Sequence, residues 1–164
     1  MNELFRSFDA ILRLDFFCLG LRSDARNLTE ITFLPLQEEQ KPCTAPADAA
    51  VQQFQQWLSH PDFVFTLPLV TSGTPFRQRV WQAISSIKIG ETRTYGDLAD
   101  SLNSSPHAVG SACGDNPFPI IVPCHRVVAR TSNFNQGLGG FAHSTDGLHM
   151  EIKRWLLERE TRHV

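Results

Sequence analysis

Cys124 stands next to His125 and Arg126 in the stretch IIVPCHRVVAR, residues 120–130. A thiolate is a strong nucleophile, and a neighbouring imidazole is the usual base that generates it. Two readings are open. Cys124 is a core residue, since free cysteine is among the most buried residue types, or it is a nucleophile at the floor of a pocket. The flanking apolar runs, Ile120-Ile121-Val122 and Val127-Val128, read as strand. Adjacent side chains on a regular strand point to opposite faces. Contact between Cys124 and His125 therefore requires the chain to turn after Pro123, or a water to carry the proton.

The other cysteines, Cys18, Cys43 and Cys113, form no C-x-x-C pair with each other or with Cys124. No disulfide framework and no metal site is expected, because the six histidines show no ligand spacing either. Cys113 reads as packing.

The elements that must position Cys124 lie in the second half of the chain. Thr74 can cap a helix whose first residue is Pro75, with Phe76, Val80, Trp81 and Ile84 as its apolar stripe and Gly90 closing the segment. A second helix over TYGDLADSLN is capped by Thr94 or a residue near it. A third, over SSPHAVGSACG, has Ser105 as cap and Pro106 in the first position. Two short helices joined tightly form a helix-turn-helix pattern. Base-reading helices present long polar side chains, whereas Ala108, Val109, Gly110, Ser111 and Ala112 leave a smooth surface. That surface suits close approach in the minor groove, or tight packing on a neighbouring helix. DNPFP breaks the chain before the cysteine strand, a Gly-rich loop NFNQGLGGF follows, and HMEIKRWLLERE reads as the last helix.

The first half reads as strands over 10–22 and 28–36 joined by a turn at RSDARN. A helix follows, capped by Asp48 with Val51, Phe54 and Leu58 on one face, and FVFTLPLV is extended. The expected fold class is therefore α+β. A small sheet-plus-helix domain spans 1–72, and a mainly helical domain with the helix-turn-helix and an active-site cysteine strand spans 73–164.

With 164 residues the chain can bury a core without staples. No apolar run approaches the roughly 20 residues that span a bilayer, and MNELFRSFDA lacks the apolar core of a secretory signal. A cytoplasmic protein is expected, or a nuclear one in a eukaryote. The net charge is −2, but residues 75–130 carry 6 Lys/Arg against 4 Asp/Glu, while residues 1–74 carry 5 against 9. The positive excess thus sits with the Cys-His-Arg stretch. It is too small to hold DNA by bulk attraction alone.

Pro123-Cys124-His125-Arg126-Val127 resembles the signature of the O6-alkylguanine-DNA alkyltransferases, the methylated-DNA–protein-cysteine methyltransferases. GTPFRQRVW, TYGDLA, AVG, NPFPIIV, a Gly-Gly loop and KRWLLERE stand around it in family order across residues 73–160. The resemblance implies direct-reversal DNA repair without a cofactor. Cys124 would take the alkyl group from O6 of an extruded guanine and keep it, so that each molecule acts once. It further implies His125 as base through a water, Glu160 as its orienting acid, and Asn116 as the tie between the helix pair and the cysteine segment. Tyr95, His107, Ala108, Gly110 and Arg126 would meet DNA, with Tyr95 crowding the phosphate. Pro119, Gly139 and Gly140 would line the base pocket. The implied partner is double-stranded DNA containing O6-alkylguanine, bound through the minor groove by a monomer, with no membrane.

The chain departs from the family pattern in three places. His107 stands where an arginine usually fills the space left by the flipped base. Gly137-Leu138 precedes the Gly-Gly. Twelve residues, 141–152, separate Gly140 from Lys153, more than in compact members. The competing readings are a damage-binding module without transfer, against which Cys124 itself argues, and an unrelated Cys-His hydrolase, which leaves the helix pair without a purpose.

Overall fold

Runs of apolar and β-forming residues build an antiparallel meander in the first half of the chain. In the computed structural model, which describes residues 7–130, 138–145 and 147–164, β1 (Ala10–Arg13), β2 (Phe17–Ser23) and β3 (Leu28–Pro35) pair in the order β1-β2-β3. The single strand expected over 10–22 is thus two. The chain reverses at Leu14–Phe16, where Leu14 N–H donates to Phe17 O at 2.9 Å, because Asp15 interrupts the apolar run.

Helix α1 (Ala45–Ser59) covers this sheet. Its cap is Thr44, whose hydroxyl accepts from Ala47 N at 3.2 Å, and not Asp48, which falls in the first turn. The physical reason is Pro46, which belongs in a first turn where no N–H is needed and so pulls the start of the helix forward. The face it buries is Ala47, Ala50, Phe54 and Trp57 rather than Val51 and Leu58. Phe17 and Phe54 are fully buried, and burying each such side chain contributes about 1.5–3 kcal/mol. FVFTLPLV forms no strand; it meets β3 at a single bridge, Leu28 to Leu69.

The chain divides into two compact units, Met1–Thr71 and Ser72–Val164. The second contains α2 (Pro75–Ser85), β4 (Arg93–Thr94), α3 (Tyr95–Leu102), α4 (Pro106–Gly114), β5 (Val127–Val128) and α5 (Gly147–His163). Its caps are the expected ones. Thr74 accepts from Arg77 N, Ser105 from Ala108 N, and Thr94 and Asp97 form a reciprocal capping box. Asn103, in the left-handed region at φ 54°, ends α3, and α4 starts three residues later. This is the tight connection of a helix-turn-helix. Trp81 on α2 donates its indole N–H to Ala112 O on α4 at 2.8 Å.

The short strands β4 and β5 run parallel, pairing Arg93 with Val127 and Thr94 with Val128. This two-rung sheet ties the start of α3 to the residues just after Cys124. Among the described residues no helix is long and apolar enough to cross a membrane.

Candidate active site

Cys124 is not on a strand. Ile120 adopts φ 76°, a rare conformation for a β-branched residue, and Val122 N–H donates back to Phe118 O at 2.9 Å. The run Ile120-Ile121-Val122 therefore forms a tight loop, and Cys124–Arg126 form a single 3-10 turn after Pro123. The β-branched residues read as a strand because their local preference is extended. Pro123 and the turn at Ile120 override it, and the strained backbone sits beside the thiol, where such strain concentrates.

Most polar groups around the thiol have a defined partner. Asn116, just beyond α4, donates its Nδ2 to Val122 O at 2.9 Å and to Cys124 Sγ at 3.2 Å, while its Oδ1 accepts from Phe118 N at 2.9 Å. Asn116 thereby links the helix pair to the cysteine segment. His125 is 1% exposed, with Nε2 at 2.7 Å from Glu160 Oε1. Its Nδ1 is buried without a protein partner. Glu160 also receives Arg126 Nε at 2.9 Å and Arg126 Nη2 at 2.8 Å, a two-pronged ion pair. Arg126 Nη1 donates to Ile87 O at 2.6 Å. Its guanidinium is thus turned inward, where it fixes Glu160, whereas the resemblance implies a DNA contact for it.

Burial raises the Cys124 thiol, and the Asn116 hydrogen bond and the charge of Lys153 pull it back. Burial likewise lowers His125, against Glu160, so the imidazole is neutral at rest. Burial alone would raise Glu160, but the hydrogen bonds from His125 and Arg126 outweigh it and hold the carboxyl at about 2. A depressed carboxyl stabilises the fold fully above its ordinary value of 4.5, and that stability is lost as pH falls toward 2. The contribution is on the order of 3 kcal/mol. In Glu160→Gln, stability from urea unfolding is expected to fall less steeply between pH 5 and 3 than in the parent. Parallel slopes would show that the carboxylate is not held this way.

Lys153 is a site residue that the sequence did not disclose as one. It is fully buried, and its ammonium donates to Val127 O at 2.7 Å, Leu138 O at 2.6 Å and Gly140 O at 3.0 Å. Burial lowers it to about 8, against the attraction of Cys124 and Cys113, so it still carries its charge at neutral pH. The available signal was its spacing. Lys153 and Glu160 lie seven residues apart, two helical turns, on the face of α5 that buries Ile152, Leu156 and Leu157.

Cys124 opens into a cavity of about 550 Å³. One wall is α4, with His107, Gly110 and Gly114, and the facing wall is Gly140–Thr145. Cys113 also lines it, and burial first of all pushes its thiol up to about 12. Tyr95 joins the two walls: its hydroxyl donates to Gly140 O at 3.1 Å. Gly139 lies at φ 73°, and a Cβ there would come within 2.6 Å of the Tyr95 ring, so only glycine fits.

The sequence model described as 6-O-methylguanine DNA methyltransferase, DNA binding domain, matches residues 75–162. The chain belongs to the 6-O-methylguanine DNA methyltransferase family. A constitutive methylated-DNA–protein-cysteine methyltransferase of Bacillus subtilis is 43% identical over 113 residues, which take in 68% of this chain and 64% of that relative. The chain thus matches a little under two thirds of that relative's length. A crystal structure of Mycobacterium tuberculosis O6-methylguanine methyltransferase is 31% identical with a TM-score of 0.75, covering 94% of this chain and 92% of that one. Mycobacterium tuberculosis OGT in complex with DNA is also 31% identical, with a TM-score of 0.73 and the same coverage. The α+β fold read from the sequence is the family fold.

Within this family frame, the structure pairs Asn116 with Cys124 and His125 with Glu160. Tyr95, His107, Gly110 and Gly140 border the cavity. Ala108 lies on the same helix, half-buried, and His107 is exposed. Pro119 is buried and does not line the cavity, and Gly139 contributes by admitting Tyr95 rather than as lining. Gly137 lies outside the described residues.

Proposed function

We propose that the protein repairs O6-alkylguanine in double-stranded DNA by moving the alkyl group to Cys124. What carries this reading is a thiol at the floor of a cavity, with a hydrogen-bond donor on its sulfur and a buried cation nearby. The names of its relatives support it, as does the DNA complex of a relative.

The target carbon is inaccessible in a duplex, so the nucleotide must leave the stack. The small residues around Ala108 and Gly110 allow α4 to lie close against the minor groove, and His107 stands at the cavity mouth. The extruded base enters between α4 and Gly140–Thr145, past Tyr95.

At neutral pH a free thiol near pKa ~8.5 is only a few per cent thiolate, and burial makes this fraction smaller still. Cys124 therefore gives up its proton as it reacts. Its proton passes through one water to His125 Nδ1, while Glu160 holds the opposite nitrogen and stabilises the imidazolium. Asn116 and Lys153 favour the sulfur anion. The S–C bond forms, the C–O6 bond breaks with its electron pair going to guanine, and the base takes up one proton. Thiol and O6-alkylguanine become thioether and guanine. Nothing regenerates the thiol, so each molecule acts once. The protein works as a monomer, without a metal or cofactor, in the cytoplasm, or the nucleus if the host is a eukaryote.

Incubation with a duplex oligonucleotide holding one O6-methylguanine is expected to add a single methyl mass to the intact protein. Peptide mapping should place it on Cys124, with the strand uncut. Protein that binds this duplex and stays unmodified would refute transfer.

A further inference from the structure

We infer that His143 determines which alkyl groups the cavity admits, by latching its outer wall to the helix pair. The inference rests on the alkyl-transfer reading for its substrates, but not for its geometry.

The wall is a two-residue reversal. Phe141 N–H donates to Ser144 O at 2.7 Å, and Ser144 N–H donates back to Phe141 O at 2.8 Å. Ala142 and His143 between them have φ 49° and 64°. Two positive φ values in a two-residue loop describe a turn that favours glycine and asparagine. Alanine and histidine adopt it only where their surroundings impose it.

Two anchors do so. Phe141 is buried at 3% exposure. On the other side, His143 Nε2 lies 2.8 Å from Asp115 Oδ1, and Asp115 Oδ2 lies 2.6 Å from Arg77 Nη2. Asp115 caps the end of α4 and Arg77 sits in the first turn of α2. The wall is therefore fastened to both helices through one imidazole. Its ring lies so close over Gly114 that a Cβ there would overlap it.

Gly114, His143, Ala142 and Ser144 all line the cavity that holds Cys124. With the latch closed, the distance between α4 and the wall is fixed. A methyl group needs little room beyond the base. A bulky alkyl group needs the wall to yield, and a strained turn freed from Asp115 relaxes outward. His143 lies in the twelve-residue stretch between Gly140 and Lys153.

The test compares the parent with His143→Ala, which removes the latch, and Gly114→Ala, which pushes the imidazole off while keeping it. Single-turnover transfer is measured from the same duplex carrying O6-methylguanine or O6-benzylguanine. The benzyl-to-methyl rate ratio is expected to rise roughly tenfold in both variants, the scale on which pocket fit discriminates. General instability would slow both substrates and leave the ratio in place. A ratio equal to the parent's in both variants overturns the inference.

A second arm uses no DNA. Cys124 is modified with a small and a bulky haloacetamide and mapped by peptide mass, and the bulky-to-small ratio should rise in both variants. If the parent transfers no alkyl group but this ratio rises, the transfer reading fails and the latch stands. If the reagent ratio stays at the parent value, the latch fails whatever the DNA substrates show.

Discussion

Cys124→Ser is expected to abolish alkyl transfer while leaving the fold and the binding of DNA in place. A serine hydroxyl is far less acidic than a thiol, and nothing at this site could ionise it. His125 is neutral but is held there as a relay, and the Asn116 Nδ2 hydrogen bond and the Lys153 charge favour an anion only once it forms. The steric change is small, and Asn116 can donate to a hydroxyl oxygen as it does to sulfur. Loss of a triad-like nucleophile typically costs at least 10³-fold. The measurement is intact mass against time with the methylated duplex, alongside a gel-shift titration. Methylation of the serine variant at near-parent rate would remove Cys124 from the chemistry. Loss of duplex binding would instead mean that Cys124 organises the surface.

Lys153→Met is expected to lower stability by about 3 kcal/mol and to move Cys124 reactivity to higher pH. Hydrogen bonds from a charged donor contribute about 1.5–3 kcal/mol each, and the Lys153 ammonium makes three. Against them stands the cost of keeping a charge out of water, which a methionine of similar volume avoids. Because each of the three carbonyls would be left without this donor in a closed interior, the losses outweigh the relief. For the thiol, removing a nearby cation removes what favours the anion, so its titration can only rise. Urea unfolding at pH 7 reads the first effect, and the pH profile of haloacetamide modification at Cys124 reads the second. A variant as stable as the parent with an unshifted profile would show that Lys153 neither fastens the wall nor acts on the sulfur.

What could be read in advance and what could not have different physical origins. Thr74, Thr94 and Ser105 were legible as caps because capping is local, and each precedes a segment with its own start signal. Pro75 and Pro106 provide that signal for two of them. Cys124 was legible as a candidate nucleophile because a thiol, an imidazole and a guanidinium stand in direct succession, whereas the roles of His125 and Asn116 came only from the family resemblance. The strand assigned to Ile120–Val122 failed because β-branched residues favour extended backbone, and only the tertiary setting forces Ile120 to a positive φ. The resemblance implied a DNA contact for Arg126, whereas its two-pronged match to Glu160 depends on a helix 34 residues away and leaves no local signal. Lys153 was hidden for a related reason. A lysine in a charged helix reads as solvated, and its three acceptors are main-chain oxygens, which have no sequence identity. The cap of α1 was misread by one turn because Asp48 and Thr44 offer the same chemistry, and Pro46 decides between them.

Helix α5 carries both Lys153 and Glu160, and this makes the site a matter of phase. The two residues are seven apart, which is about 10 Å along the axis and nearly two whole turns. One holds the carbonyls beside the thiol and the other holds the imidazole, so a single rigid rod sets the angle between cation and relay. Adding or deleting one residue between them would rotate one group by about 100° relative to the other. The same change before Gly147 would leave their relative angle intact. The chain can therefore vary in length between Gly140 and the start of α5, while the interval from Lys153 to Glu160 has no such freedom.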